Sequence, residues 1–187
     1  MAAKKKAKAK AAKRAVKKPA RKAAPRKASP IPRGYTALTP MLTFKDARPA
    51  LAWYQRAFGA KLTTRMDLPD GRVMHAEMRI GDALFMLGDE APERGYPSAE
   101  TLGGSAAALM HYVKDCDATF ARAIAAGATV VMPLMDMFWG DRFGELKDPF
   151  GHRWAIATHV KDLTPRQVGA AAEEAMKKMA AGQPPTA

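Results

Sequence analysis

Apolar and polar positions follow the same order twice along this chain. Residues 42–62 (LTFKDARPALAWYQRAFGAKL) and 111–130 (HYVKDCDATFARAIAAGATV) each run from an apolar start through Lys-Asp and a helical stretch to Gly-Ala and another strand start. In each copy the Asp is suited to cap the helix N-terminus, and Gly59 or Gly127 is suited to end the helix. The repeat predicts two βαβββ modules, because one module alone would leave a sheet face bare.

The pattern also predicts the individual elements. The first module is expected to have strands at 35–44, 61–67, 72–80 and 83–88 and a helix at 47–58. The second is expected to have strands at 106–113, 128–132, 142–147 and 152–158, a helix at 117–126 and an irregular stretch at 133–144. Asp148-Pro149-Phe150-Gly151 fits a type I turn, and Thr164 with Gln167 predicts a capping box at the start of a last helix.

Charge divides the chain into a basic tail and a near-neutral body. Residues 1–33 carry fourteen of the 31 Lys and Arg residues and no acid, which leaves seventeen basic residues against eighteen acidic ones in the rest. The tail is rich in Lys, Ala and Pro, so it has little apolar surface to bury and is expected to be disordered alone. We therefore predict a tail at 1–33, a folded domain at 34–162 (modules 34–90 and 105–160) and a C-terminal helix and tail at 163–187.

The tail resembles the Lys/Ala/Pro tails of linker histones and nucleoid proteins, which implies non-specific contact with DNA or RNA through phosphate neutralisation. It contains no aromatic residue, so base stacking is not available. The alternative is a solvated leader without a partner. The candidate nucleic-acid residues are Lys4, Lys5, Lys6, Lys8, Lys10, Lys13, Arg14, Lys17, Lys18, Arg21, Lys22, Arg26 and Lys27.

Two further features place the chain in a broad class. The single cysteine, Cys116, excludes an internal disulfide and fits a reducing compartment. No apolar run approaches the ~18 residues of a membrane span, and the N-terminus lacks the apolar core of a secretory signal. We expect a cytoplasmic protein that does not enter the membrane, with nucleoid association if the tail binds nucleic acid.

Four stretches carry a family resemblance: TPMLTFKDARPALAWYQRAFGA, DGRVMHAEMRIGDALFML, VKDCDATFARAIAAGATVVMP and DMFWGDRFGELKDPFGHRWAIATH. Residues 34–162 resemble the vicinal oxygen chelate superfamily, which contains glyoxalases, bleomycin resistance proteins and extradiol dioxygenases, and within it the PhnB-like branch. The resemblance implies an α+β fold in which tandem βαβββ modules form an eight-stranded, incompletely closed barrel around a cup.

The resemblance also makes a prediction about metal binding. Metal-dependent members place four His, Gln or Glu ligands in the cup, and the matching positions here are Thr39, Met86, Ala108 and Ala155. None of these side chains is a strong ligand for a divalent ion. We therefore expect no metal and no other cofactor.

Three groups of residues are candidates for a site. His75 and Glu77 share one face of a strand and could act as acid or base with Asp141, or simply hydrogen-bond within the sheet. Phe138, Trp139 and Arg142 could bind a planar or anionic ligand; alternatively, Trp139 plugs the barrel while Asp141 and Arg142 pair with each other. The expected cup lining, which could equally be plain core, is Met41, Met86, Met110, Tyr112 and Trp154.

These observations support three functions. The first is a homodimeric module that binds a small hydrophobic or aromatic molecule in its cup. The second is a metal-independent lyase or isomerase that uses His75, Glu77 or Asp141. The third is a nucleoid-associated protein in which the barrel only dimerises two tails.

Overall fold

A computed structural model describes residues 28–182 of the 187-residue chain. All thirteen basic residues predicted to contact nucleic acid, Lys4 to Lys27, lie outside the described residues, as do residues 183–187. The predictions about the tail therefore stay predictions.

Residues 28–182 contain eight strands and four helices, and each module has the order βαβββ. The strands are β1 (Met41–Phe44), β2 (Lys61–Asp67), β3 (Val73–Ile80), β4 (Ala83–Asp89), β5 (Ala108–Tyr112), β6 (Thr129–Asp136), β7 (Asp141–Lys147) and β8 (Arg153–His159). The helices are α1 (Ala47–Phe58), α2 (Ala99–Leu102), α3 (Cys116–Ala125) and α4 (Pro165–Ala180), and a short 3-10 turn covers Pro92–Arg94.

The two modules have the same strand order, β1-β4-β3-β2 and β5-β8-β7-β6. In each, the first strand runs parallel to the last, with Met41 beside Met86 and Met110 beside Ala155, and the other pairs are antiparallel. The α+β fold with tandem βαβββ modules is thus confirmed. Between residues 28 and 182 the two sheets share no strand pair, so they stay open and form no closed barrel.

The helix caps explain where the first helix of each module begins. Asp46 accepts a hydrogen bond from the Arg48 amide (3.0 Å), and Asp115 accepts one from the Ala118 amide (2.9 Å). Each carboxylate satisfies an amide that has no partner within the helix. Gly59 then ends α1 in the left-handed conformation with φ 66°, which only glycine adopts without strain.

The core lies between helices α1 and α3 and one face of each sheet. Residues of α1 and α3 pack against alternate positions of β3, β4 and β8, among them Ala76, Met78, Leu87 and Ile156. Because strand side chains alternate, the remaining positions face away from the helices. We call this second surface the outer face of each sheet.

A buried carboxylate joins the modules. Asp148 is only 3% exposed, and it accepts hydrogen bonds from the Tyr54 hydroxyl (2.6 Å), Trp154 Nε1 (3.1 Å) and the backbone amides of Phe150 (3.0 Å) and His152 (2.9 Å). Tyr54 belongs to α1 of the first module, whereas the other donors belong to the second. Four donors stabilise the buried charge, which would otherwise be costly.

Several predicted bounds were wrong. The strand predicted at 35–44 begins only at Met41, because residues 34–40 leave the edge of the sheet and cross its outer face. The stretch predicted as irregular at 133–144 is largely strand, since β6 continues to Asp136 through a register shift and β7 starts at Asp141. Helix α3 ends before Gly127, at the C-cap Ala126.

Candidate functional site

Residues 34–40, which we call the leading segment, lie against the outer face of the first sheet. The Gly34 carbonyl accepts a hydrogen bond from Arg79 Nη2 (3.0 Å), and the Pro40 carbonyl accepts one from the Met86 amide (2.9 Å). Between these two points the Tyr35 hydroxyl donates to Glu77. The leading segment is therefore fixed to this face by three hydrogen bonds.

Glu77 is the centre of a polar cluster on the same face. Besides the Tyr35 hydroxyl, its carboxylate accepts from Thr64 Oγ1 (3.2 Å) and lies 3.2 Å from His75 Nε2. The hydrogen bond from Tyr35, followed by those from His75 and Thr64, lowers the pKa of Glu77 despite an opposing effect of burial. The predicted pairing of His75 with Glu77 is present, and Tyr35 is the member that the sequence analysis missed.

A cavity of about 390 Å³ opens beside this cluster. Its volume lies within the range typical of small-molecule sites, roughly 300–1,000 Å³. Of the predicted site residues, Met41 and His75 line it. Further lining comes from Thr43, Leu68, Arg72, Met74, Asp89, Glu90, Glu93, Arg94 and Tyr96.

One wall of the cavity is a hydrogen-bonded turn. Ala91 and Tyr96 exchange two backbone hydrogen bonds (2.9 and 3.1 Å) around the 3-10 turn. The Glu90 carboxylate fixes the end of the turn, since it accepts from the Ser98 amide (2.8 Å) and the Thr101 hydroxyl (2.7 Å). Tyr96 is thus held at the cavity by backbone contacts.

The outer face of the second sheet carries a comparable cluster around Asp141, which is only 3% exposed. Its carboxylate accepts from the Tyr112 hydroxyl (2.8 Å) and Trp139 Nε1 (3.0 Å) and lies 2.7 Å from His159 Nδ1. Burial raises the pKa of Asp141, but the hydrogen bonds from His159, Tyr112 and Trp139 outweigh burial, and the net pKa is lowered. Asp162 contacts the other ring nitrogen of His159 at 3.0 Å.

The turn before Asp141 depends on one glycine. Gly140 has φ 98°, and a Cβ at this position would lie 2.2 Å from the Lys161 carbonyl oxygen. Its own carbonyl accepts from the amides of Val160 (2.9 Å) and Lys161 (3.0 Å). The close approach of these two backbones places Trp139 where its indole nitrogen reaches Asp141.

Arg142 takes a different set of partners. Its guanidinium contacts Asp117 (2.6 and 2.7 Å) and Asp136 (3.3 Å), and these contacts, Asp117 first, raise its pKa. The alternative that Asp141 and Arg142 pair with each other is therefore wrong, because consecutive strand residues point to opposite faces. Both charges are already matched within the second module.

The predicted lining residues do not surround one cup. Met41 and Met86 lie on the outer face of the first sheet, and Met110 and Tyr112 lie on that of the second. The prediction for Trp154 was wrong in its facing, because this residue has the opposite parity to Ala155 and is buried in the core at 4% exposure.

Phe138 lies at a second cavity, of about 580 Å³, between α4 and the segments 136–140 and 160–163. Its ring packs edge-on against that of Trp139, with centroids 5.0 Å apart. Helix α4 buries only Ala175 among its residues, so one wall of this cavity has few contacts with the rest of the domain.

The four positions that correspond to metal ligands do not fit a divalent ion. Thr39 lies in the leading segment, and Met86, Ala108 and Ala155 have no nitrogen or carboxylate donor. Among residues 28–182, no group of three or more His, Cys, Asp or Glu side chains is arranged to hold a metal ion. In the same part of the chain, no helix has the length and apolar character needed to cross a bilayer.

Several known proteins are similar to this chain. An uncharacterized protein of Mycobacterium tuberculosis is 41% identical over 138 residues, which cover 72% of this chain and 81% of the relative. The structure of TioX from Micromonospora sp. ML1 is 28% identical with a TM-score of 0.52, covering 69% of this chain and all of TioX. The PhnB protein from Bacillus cereus, at 21% identity and a TM-score of 0.54, covers 66% of this chain and 99% of its own and supports the likeness in fold.

A family model describes most of the two modules. The match to the Glyoxalase/Bleomycin resistance protein/Dioxygenase superfamily spans residues 36–156, from the leading segment to the middle of β8. This range contains both copies of the repeat and every strand except the end of β8. Together with the shared strand order of the two sheets, the match shows that the chain belongs to the Glyoxalase/Bleomycin resistance protein/Dioxygenase superfamily.

Proposed function

We propose that this domain binds a small hydrophobic or aromatic molecule in the cavity on the outer face of the first sheet. The observation that carries the proposal is the cavity itself, whose apolar side chains Met41, Leu68, Met74 and Tyr96 stand beside the polar pair of His75 and Glu77. Ligand sites typically combine apolar walls with a few converging polar groups. Thioethers adapt to irregular apolar ligands and contact aromatic rings favourably.

The rigidity of its walls favours this cavity over the second one. Strands β1, β3 and β4 and the hydrogen-bonded turn at Tyr96 line it. The second cavity is larger but depends on α4, which buries one side chain. A preorganised wall costs less ordering on binding, and this favours affinity at the first cavity.

Ligand binding without metal is consistent with the chemistry of the four family positions. Threonine, methionine and alanine at these positions leave the usual divalent ion without donors. The proposal therefore needs no step through a metal.

Calorimetry with toluene and indole provides the test. We expect binding to the full-length protein, and we expect Met41→Glu to weaken it at least about tenfold because a carboxylate then enters the apolar wall. Met41 is 61% exposed, so the substitution is compatible with folding. Ala171→Glu, in the second cavity, is the matched control and should leave binding unchanged. The proposal fails if neither compound binds, or if only Ala171→Glu weakens binding.

We also propose that the domain is a homodimer. Large apolar side chains are exposed on both outer faces, among them Met41 (61%), Met110 (50%) and Tyr112 (57%). Exposed apolar surface of this kind is typical of interaction sites. Sedimentation should report a dimer for the wild type and a shift to monomer for Met110→Glu, with Met176→Glu on α4 as the control. A monomeric wild type would contradict the proposal.

For the tail we propose non-specific contact with nucleic acid. The support is its composition, fourteen basic residues without an acid in residues 1–33. Each neutralised phosphate contributes about −0.9 to the slope of log K against log salt. Deleting residues 1–27 should abolish DNA retardation and leave the unfolding free energy unchanged. A truncated protein that still retards DNA at moderate salt would refute this proposal.

A further inference from the structure

We propose that the ligand of the first cavity is a weakly acidic aromatic molecule, of the phenol or N–H azole class, whose O–H or N–H group donates a hydrogen bond to His75 Nδ1. This inference rests on the proposed function and narrows it from apolar molecules in general to one chemical class. It is carried by the hydrogen bonds around Glu77 and by the composition of the cavity wall.

Glu77 is an acceptor of hydrogen bonds from two hydroxyl groups. The hydroxyl groups of Tyr35 and Thr64 each donate a hydrogen bond to its carboxylate. These hydrogen bonds favour the ionised form, and the pKa of Glu77 is lowered accordingly. An ionised carboxylate has only acceptor positions.

The contact with Glu77 determines which ring nitrogen of His75 donates a hydrogen bond and which accepts one. Nε2 lies 3.2 Å from Glu77 Oε1, so it must be the donor of that hydrogen bond. In the neutral ring Nδ1 then carries the lone pair and is an acceptor. Within residues 28–182, no hydrogen-bond donor contacts Nδ1. This nitrogen therefore remains for a ligand in the cavity that His75 lines.

The other walls of the cavity carry side chains that suit an aromatic ring. Met41, Met74 and Tyr96 offer two thioethers and an aromatic ring, which contact a planar π-system better than an aliphatic chain. A purely hydrocarbon ligand would cover Nδ1 without satisfying it, and leaving a polar group unpaired on burial is unfavourable. An aromatic hydroxyl or N–H group supplies both the ring and the donor.

The charges at the cavity disfavour a strongly anionic ligand. The residues that line it include three acidic ones, Asp89, Glu90 and Glu93, and two basic ones, Arg72 and Arg94. Arg72 is also paired with Asp70 outside the cavity at 2.8 Å. Neutral molecules with a polarised O–H or N–H bond remain the chemical class that fits.

The test compares phenol with toluene, two molecules of nearly equal shape that differ in one donor group. Toluene is the more hydrophobic of the two, so burial alone would favour it. We expect isothermal titration calorimetry of the full-length protein to give a Kd for phenol at least about tenfold lower than that for toluene. Equal affinity, or tighter binding of toluene, would overturn the inference while the proposed function would stand. If phenol, toluene and indole all fail to bind, both proposals fail.

Variants identify the group responsible. His75→Phe should remove the preference, so that phenol binds no more tightly than toluene. Glu77→Gln, which no longer fixes the tautomer of His75, should reduce the preference. His159→Phe, on the other sheet, is the matched control and should leave the preference intact. A preference for phenol that survives His75→Phe in a variant with a wild-type urea midpoint would contradict the assignment to Nδ1.

Discussion

The two modules share one backbone plan and differ in how they use it. Each outer face carries a carboxylate that contacts a tyrosine hydroxyl and a histidine ring, Tyr35–Glu77–His75 on one sheet and Tyr112–Asp141–His159 on the other. In the first cluster, Nδ1 of His75 has no hydrogen-bond partner among residues 28–182. In the second, both ring nitrogens of His159 contact carboxylates.

The difference arises outside the repeated elements. Tyr35 reaches Glu77 from the leading segment, which has no counterpart in the second module, and Trp139 reaches Asp141 from a turn held by Gly140. The repeat thus sets the scaffold, and residues outside the strands complete each cluster. Asp162, after β8, contacts the second ring nitrogen of His159, so we call this cluster closed and the cluster around Glu77 open. The open cluster borders the first cavity; the closed one lines neither cavity.

The largest expected effect is a difference in unfolding free energy between substitutions of Asp141 and of Glu77. Asp141→Asn should lower the unfolding free energy by about 2–4 kcal/mol, because a buried acceptor with three donors is replaced by an amide that presents a donor of its own. Glu77→Gln, at a side chain that is 15% exposed, should cost less than about 1 kcal/mol. Equilibrium unfolding in urea measures both, and equal losses would contradict the distinction between a closed and an open cluster.

A smaller effect separates the two tyrosines. Tyr112→Phe should lower the global unfolding free energy by about 1 kcal/mol, since the partner of its hydroxyl is the buried Asp141. Tyr35→Phe should leave global stability nearly unchanged and instead speed amide hydrogen exchange in residues 34–40, which this hydroxyl fastens to the sheet. Exchange that accelerates throughout the first module would show that the leading segment is part of the core after all.

The smallest effect is a pH dependence in the second cluster. Contacts with Asp141 first and Asp162 second raise the pKa of His159. A raised pKa means that the folded protein holds this proton more tightly, so the stabilisation is complete below the unfolded value of about 6.5 and is lost as pH rises through the higher folded value.

Unfolding free energies measured from pH 6 to 9 should therefore fall more steeply for the wild type than for His159→Gln. Asp162→Asn should reduce the slope in part, because it removes the second of the two contacts. A His159→Gln profile parallel to that of the wild type would show that the imidazole proton does not contribute.

The sequence was sufficient for the scaffold. Its repeat, the caps at Asp46 and Asp115 and the capping box at Thr164 are local signals, and all of them are present in the fold. The contact of Asp141 with His159 could also have been predicted from the sequence. The turn at 148–151 places these residues opposite each other in the β7–β8 register, and extending that register would have predicted the pair.

Contacts between distant segments could not be predicted. Tyr35 lies 42 residues from Glu77, and no periodicity connects an irregular leading segment with a strand face. The turn that holds Tyr96 at the cavity was equally hidden, because residues 91–104 lie between the two predicted modules and carry no predicted element. The misplaced Trp154 had a different cause, since a single error of strand parity moves a side chain to the opposite face of the sheet.

The tetrapeptide Asp148-Pro149-Phe150-Gly151 has the sequence of an ordinary surface hairpin. Yet its first residue is sealed inside the protein, and one of its four donors comes from a helix ninety-four positions earlier. The β7–β8 hairpin of the second module therefore depends on a hydrogen bond from Tyr54 of the first module. The two units share a strand order, yet each depends on the other, and neither would be complete in isolation.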